Sequence, residues 1–594
     1  MKNRFLIKIL LLLAVICTSV SSCVKGFDEF LDKPPGVDIT EDTIFSTKKD
    51  IETFLFGTYM YGIHSYYPYD TTNESVNPNP SMCMTAPMTD EAEMAQTYFA
   101  SQAWNTGAIL ANNIKKQEDM RFDLRWTAIR RCNIIIERLP GTSLTQKEKD
   151  QYMGETLFLR ALNNFEMFKR YGGMPIVDKR LTDDDDWNKP RASVEDFVNY
   201  IVNDCTESAR LLKGVVYSAN QRGRITDAAA LALKARTLLY AASPLFNTDT
   251  PYLPTEHPEL VCYGNRDPQR WKQAADAALA ALDAAHASGF KLLDNDDVEN
   301  DYRKVWDTYD NEEIILAEKF TGKIGNWSKP WCVILPAGLG MNGWAGNAVC
   351  VPHNFVRKYE KMNGTPQTWN EPGVPGTDLM EKYAELDPRF RQTMAYNGSS
   401  WNHAYTDMQL YEGATGQSPV PSANVTGVIM HKLIPYAMSS STNYQMEANA
   451  ILFRVGELYL DYAEALNESL SSPSPEVYDA VNTIRDRAGM PDLPSDLSKE
   501  QMRERIKNER AVELAYEDHR LWDVRRWMDA EKEGVMQGSF YKITITRKSG
   551  QKLAQKCDYV ISEYEKRIFN RNMYLHPIFE NEINKGYMTQ NPGW

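Results

Sequence analysis

Apolar side chains recur at helical spacing in two blocks of the chain, separated by a long stretch where that spacing fades. In the first block, Thr127 to Leu139 and Glu155 to Tyr171 read as a helix pair. Ser193 to Lys213 and Thr226 to Ala242 follow, each opening on a hydroxyl residue. Such a residue accepts from a first-turn N–H that has no partner inside the helix. Asp267-Pro268 starts a further helix through Leu282, with proline where its missing N–H breaks no bond. The second block begins at Ile451, where Ile451, Val455, Leu458, Tyr462 and Leu466 predict one helix face. Ser474-Pro475 starts the next helix and Gly489 stops it, and Ser498 with Gln501 forms a capping box for a third.

Residues 290–445 are different: glycine, proline, asparagine and tryptophan rise together, as in Gly325 to Gly346 and Gly364 to Gly376. Helix pairs of this size are similar to tetratricopeptide-like units, which bury their apolar faces on neighbours. The expected fold is mostly α, a tetratricopeptide-like helical hairpin scaffold with a large irregular, loop-rich insertion. The boundaries read as 1–22, 23–289, 290–445 and 446–594.

The first segment carries Lys2, Arg4 and Lys8, then an apolar run from Ile9 to Ile16, then Val20-Ser21-Ser22-Cys23. The run is well short of the roughly 20 residues that span a bilayer, so it reads as a cleaved signal. A branched apolar residue, two small residues and a cysteine fit a lipobox better than an ordinary secretory signal. Cys23 is then the acylated first residue of a lipid-anchored, otherwise soluble protein. Cleavage leaves 63 basic against 80 acidic side chains, a net charge of −17. That balance argues against nucleic acid or an anionic lipid surface as ligand. Seven widely spaced cysteines follow Cys23 and read as buried thiols rather than a disulfide framework, with a Cys332–Cys350 bridge the one alternative.

Catalytic and metal motifs are sparse. The eight histidines are scattered, no G-x-S-x-G, phosphate loop or C-x-x-C occurs, and no cofactor is expected. Asp183 to Asp186 lacks the alternating oxygens of a calcium loop and reads as a solvated acidic turn. Glu509 and Glu513 share a face with Met502 and Ile506. Two readings fit them: an acid/base pair of the glycosidase kind, or a buried charge network with Arg520, Arg525 and Arg526. The second is favoured, since acids one helical turn apart are more often ion-paired than catalytic.

Two aromatic, polar stretches fall outside any helical pattern. One is Tyr66-Tyr67-Pro68-Tyr69-Asp70 with Asp90, Glu91, Tyr98, Trp104 and Asn105 downstream. The other is Asn326-Trp327, Trp331, Asn342 and Trp344, with Trp401-Asn402. Sugars present flat C–H faces beside hydroxyl edges, so aromatic platforms among short polar groups suit them. Trp126, Trp271, Trp306, Trp522 and Trp527 lie in or beside helical patterns and are assigned to the core.

Several segments together resemble the SusD/RagB family of Bacteroidetes. They are Phe30-Leu31-Asp32-Lys33-Pro34-Pro35; Gly154 to Ala161 through Tyr171-Gly172-Gly173-Met174-Pro175; Ala229 to Arg236 through Ala242 to Asn247; and Leu386-Asp387-Pro388-Arg389-Phe390. In the second block they are Arg454 through Ala463-Glu464-Ala465-Leu466-Asn467, Ile484 to Gly489, Glu509-Arg510 through Glu513-Leu514, and Arg520 through Arg526-Trp527. The close of the sequence adds Tyr574-Leu575-His576-Pro577-Ile578 and Tyr587 to Trp594.

The resemblance implies a non-enzymatic outer-membrane lipoprotein that captures a glycan and hands it to a SusC-like TonB-dependent transporter. It places ligand contacts ahead of the first helical signature and in the central insertion. Tyr67, Trp104, Asn105, Trp327, Trp331 and Trp344 are the resulting ligand-binding candidates. A peptide ligand is the alternative within the family, and a surface glycoside hydrolase the rival outside it.

Overall fold

The structure is a computed structural model that describes residues 41–63, 85–95, 97, 100–119, 121–323, 349–403, 406–414, 424–433, 436–437, 445–547 and 557–594. Among the described residues, six long helices form the first block: α1 (Lys48–Gly62), α2 (Phe122–Arg138), α3 (Gln146–Tyr171), α4 (Val194–Leu212), α5 (Asp227–Ala242) and α6 (Gln269–Ala287). Four form the second: α7 (Val455–Ser469), α8 (Pro475–Arg487), α9 (Lys499–Glu513) and α10 (Arg520–Arg526). Successive helices pack on one another from α1 to α6, and α6 then packs directly on α7. The helical array therefore runs on across the intervening residues as one stack of hairpins. Arg236 of α5 reinforces that continuity with a bidentate pair to Glu457 of α7, both bonds 2.6 Å.

The caps set most of these limits. Ser193 accepts from Asp196 N at 3.0 Å, and Thr226 accepts from Ala229 N at 3.2 Å. Ser498 and Gln501 exchange both bonds of a capping box. A second box, Thr145 with Glu148, starts α3 nine residues ahead of the expected Glu155. The C-terminal two-thirds of α3 is buried on almost every side, with Arg160 paired to Asp204 of α4 at 2.7 and 2.8 Å. Ile451 is a correction: β6 (Gln445–Arg454) continues to Arg454 as strand, and the helix starts at Val455. Apolar residues on both sides of that junction keep an apparent helical spacing although the backbone changes form between them.

β6 pairs antiparallel with β2 (Ile314–Lys323), from Ile314 opposite Arg454 to Lys323 opposite Gln445. This ribbon carries the chain away from the helical stack and returns it. Beyond it lies a four-stranded antiparallel sheet in the order β1-β3-β5-β4, formed by β1 (Glu93–Met94), β3 (Val349–Cys350), β4 (Met394–Tyr396) and β5 (Val428–Met430). It has a core of its own, with Phe355, Tyr359, Phe390 and Trp401. A hairpin of β7 (Gly538–Thr546) and β8 (Asp558–Arg567) packs its buried face into the same core.

Gly172 and Gly173 end α3 where the chain threads between two other segments. Gly172 has φ +78°, and a Cβ on Gly173 would sit 2.0 Å from the carbonyl oxygen of Ala192. Neither backbone wall can yield, so Gly173→Ala should cost about 2 kcal/mol or more, read as a lower denaturant midpoint at unchanged slope. The same turn receives the last residues: Asn591 donates to Tyr171 O at 3.1 Å and accepts from Arg191 at 2.9 Å, across 420 and 400 positions. Trp594 donates to Asn572 O at 3.0 Å. Cys132, Cys205 and Cys262 are buried thiols; Cys350 is buried in the sheet, while Cys332 lies outside the described residues. No described helix is long and apolar enough to cross a membrane.

Candidate ligand-binding face

The four-stranded sheet joins the roots of both aromatic stretches and of the Trp401-Asn402 segment. β1 belongs to the first stretch, β3 directly follows the second, and β4 precedes Trp401 by five residues. Glu93 stands opposite Cys350, Cys350 opposite Ile429, and Ile429 opposite Ala395, so one ladder crosses all four strands. Tyr67, Trp327, Trp331 and Trp344 lie outside the described residues, as does Cys23.

The first stretch is fastened to the scaffold by buried acids. Asp90 takes a bidentate pair from Arg520 at 2.8 and 2.9 Å and stands 3.3 Å from Lys358. Burial alone would raise this carboxyl, but the two cations hold it below the usual range. Glu91 accepts the Tyr516 N–H at 2.6 Å, and burial pushes its carboxyl up to about 8. Glu93 pairs with Arg567 of β8 and accepts from Gln102 at 3.0 Å. Burial, with Glu565 sharing the same arginine, pushes it up to about 8 as well.

Trp104 and Asn105 are corrected by their surroundings: each is only 1% exposed and serves the scaffold, not a ligand surface. The Trp104 ring meets His576 edge-on at 4.9 Å, with the Arg525 guanidinium 5.4 Å from its centre. Asn105 donates to Pro87 O at 3.1 Å, and its carbonyl accepts from Ile568 N at 2.9 Å. Trp401 is likewise sealed, 4.3 Å from the His431 ring. Trp306, Trp522 and Trp527 are core residues as expected. Trp126 and Trp271 pack against the core from its edge: both are half-buried and also line surface clefts. Trp187 was missed and is 52% exposed. Its signal was an aromatic residue directly after the acidic run Asp183–Asp186, where nothing apolar is needed for folding.

Glu509 and Glu513 are ion-paired, but with different arginines from those expected. Glu513 binds Arg454 at 2.7 Å, Arg389 at 2.9 Å and also Arg487. Glu509 binds Arg389 at 2.6 Å and Arg485 at 3.0 Å. Glu313 and Glu517 complete the cluster through Arg454, each at 2.7 Å. Tyr516 and Asp518, at φ 64° and 61°, turn the chain away before α10. Arg520 thereby reaches Asp90, Arg525 donates to Tyr574 O at 2.9 Å, and Arg526 pairs with Glu464 at 2.7 Å. Burial opposes ionisation of Glu513, yet Arg487, Arg454 and Arg389 hold it well below the ordinary range. A sealed carboxylate of this kind has no proton to give and no access to substrate, which removes the pair as an acid/base candidate.

Comparison with known proteins gives the same architecture a relationship. A sequence model of the SusD family matches residues 304–594, and one described as starch-binding associating with outer membrane matches residues 29–239. SusD-like protein P38 of Formosa agariphila is 26% identical over 454 residues, 71% of this chain and 75% of the relative. The crystal structure of a SusD-like protein from Bacteroides fragilis superposes with a TM-score of 0.75 at 24% identity, covering 95% of this chain and all of that one. Surface glycan-binding protein A from Bacteroides fluxus superposes at 0.59 and 20% identity, covering 92% of this chain and 100% of its own. The motifs that resemble the family supply the buried contacts just described, Arg389, Arg454, Arg487 and Glu513 among them, and the chain belongs to the SusD/RagB family.

Proposed function

We propose that this chain is a surface lipoprotein, anchored through Cys23, that captures an oligosaccharide without cleaving it and passes it to a SusC-like TonB-dependent transporter. The observation that carries the reading is the shared sheet: two stretches rich in aromatic and short polar residues, and the Trp401-Asn402 segment, are rooted on one ladder, apart from the helical stack. The starch-binding description of the matched family and the glycan bound by the Bacteroides fluxus neighbour support the ligand class. Association with the outer membrane is in the same family description. Tyr67, Trp327, Trp331 and Trp344 are the proposed ligand contacts, with residues 290–445 the ligand-facing part. A modest single-site affinity suffices, because tethering beside a transporter raises the effective ligand concentration at its mouth.

The test is binding of the soluble chain, truncated after Cys23, to plant, host and microbial polysaccharides and mixed peptides, with product analysis. Binding to one glycan without cleavage is expected, and it should fall at least tenfold in the Trp327→Ala, Trp331→Ala, Trp344→Ala triple variant, at about 1 kcal/mol per ring contact. Release of shorter products would make the protein an enzyme. Binding confined to peptides would move it to the alternative ligand class.

A further inference from the structure

A cleft of about 360 Å³ lies between α2, the loop of residues 175–189 and the segment 582–588, and none of the residues of the aromatic stretches above lines it. Trp126, Trp187, Tyr587 and Met588 line it together with Arg130 and Lys189. Its size falls in the usual range for small-molecule sites.

The walls are held in place before any ligand arrives. Asn133 donates to the carbonyls of Val177 and Lys179 at 2.9 and 3.0 Å. Trp187 donates its indole N–H to Thr182 O at 2.9 Å, which fixes the ring while leaving it more than half exposed. It is the one tryptophan exposed to that degree among the described residues. Exposing an indole face costs apolar burial, and tying its N–H to the backbone adds rigidity that a solvated turn has no use for.

The charges around the ring are unequal. Lys179 is matched by Asp185 at 2.6 Å, Lys585 by Glu582 at 2.7 Å, and Asp123 by Lys115 at 2.7 Å. Arg130 and Lys189 make no ion pair among the described residues. The Arg130 guanidinium lies 5.9 Å from the Trp187 ring centre, positioned by its bond to Leu181 O at 2.9 Å. The backbone N–H of Lys189 donates to Trp187 O at 3.0 Å, which sets that lysine against the same turn. None of Asp183 to Asp186 lines the cleft. Two unmatched cations beside an exposed ring, on a chain of net charge −14, call for an anionic group carried on a flat apolar face.

We propose that this cleft is a second saccharide site that takes an acidic sugar residue, a uronate or a sulfated hexose, with its ring on Trp187 and its anion toward Arg130 and Lys189. The site stands on its own geometry and does not depend on the capture reading. Four probes decide it: a short oligogalacturonate, a chondroitin sulfate oligosaccharide, a neutral maltooligosaccharide and an oligoglutamate peptide. Each is titrated by calorimetry into the soluble chain truncated after Cys23. The variants are Trp187→Ala, Lys189→Gln and the triple tryptophan variant of residues 327, 331 and 344.

At least one acidic oligosaccharide should bind, weaken with added salt, and lose roughly tenfold in Trp187→Ala and severalfold in Lys189→Gln. The triple variant should keep that binding, which separates this site from the proposed capture site. Trp187 is exposed, so its removal leaves the fold intact. Absence of binding by both acidic sugars, full affinity in Trp187→Ala, or, in the triple variant, equal affinity for the neutral sugar or for oligoglutamate would each overturn the proposal.

Discussion

Glu513→Ala should lower the free energy of unfolding by about 3–5 kcal/mol, the range seen when one member of a buried ion cluster is removed. Arg454, Arg487 and Arg389 all turn a guanidinium toward this carboxylate, and none is more than 2% exposed. The deletion leaves them facing one another with less compensation and opens a gap that cannot hold them apart. Denaturant unfolding followed by circular dichroism reads the loss directly. At temperatures where the variant is still folded, ligand affinity should be unchanged, because the cluster sits in the scaffold. A fully stable Glu513→Ala protein that no longer binds its ligand would return the residue to the functional site.

The response to pH should be uneven, falling as pH rises from about 6.5 to 8, nearly level from 6.5 to 5 and steep below. Buried His353 and His431 are pushed down to about 3, and His576, beside Arg525 and Glu118, to about 4. Their folded pKa lies below the free value of 6.5, so their contribution is complete above 6.5 and is lost as pH falls. Glu91 and Glu93, at about 8, work the other way. Between 4.5 and 8 the folded state keeps protons that the unfolded chain has released, so their contribution weakens as pH rises. Asp461, raised to about 7 by burial, adds to that second group. The two sets offset each other between about pH 4.5 and 6.5, and above 6.5 only the acids act, so stability declines toward pH 8.

Below 4.5 nothing opposes the histidines. Glu166, held near 2 by Lys169 and Arg170 against its burial, joins the loss, as do Glu118 and Glu513, which their arginine neighbours hold well below the ordinary range. Each group titrating this way adds a slope of about 1.4 kcal/mol per pH unit. The thermal midpoint should therefore hold to about pH 5 and collapse toward pH 3. A midpoint that falls most steeply between pH 8 and 5 would show that the sign assigned to Glu91 and Glu93 is wrong.

Local chemistry was legible where it acts locally. Ser193, Thr226 and Ser498 announce their helices because a cap needs only the next three residues. Thr145-x-x-Glu148 carried the same message ahead of Glu155, and it lay outside the apolar pattern that defined the expected start. The partners of Glu513 were not legible, because they come from positions 389, 454 and 487 and depend on how a chain reversal at Tyr516 aims α10. Trp104 failed for the same reason. Its neighbours His576 and Arg525 are more than 400 positions away, and nothing near it in sequence distinguishes a buried indole from an exposed one.

The latch between the turn at Tyr171 and Asn591 bears on time as well as on strength. The first hairpins can coil and pair as they are made, but Tyr171 and Arg191 keep open bonding positions until residues 589–591 exist. Closing a loop of some 400 residues is an entropically slow step. The turn after the first hairpins therefore stays incomplete while nearly all the remaining helices are added, and its last bonds mark the late closure of the fold rather than its start.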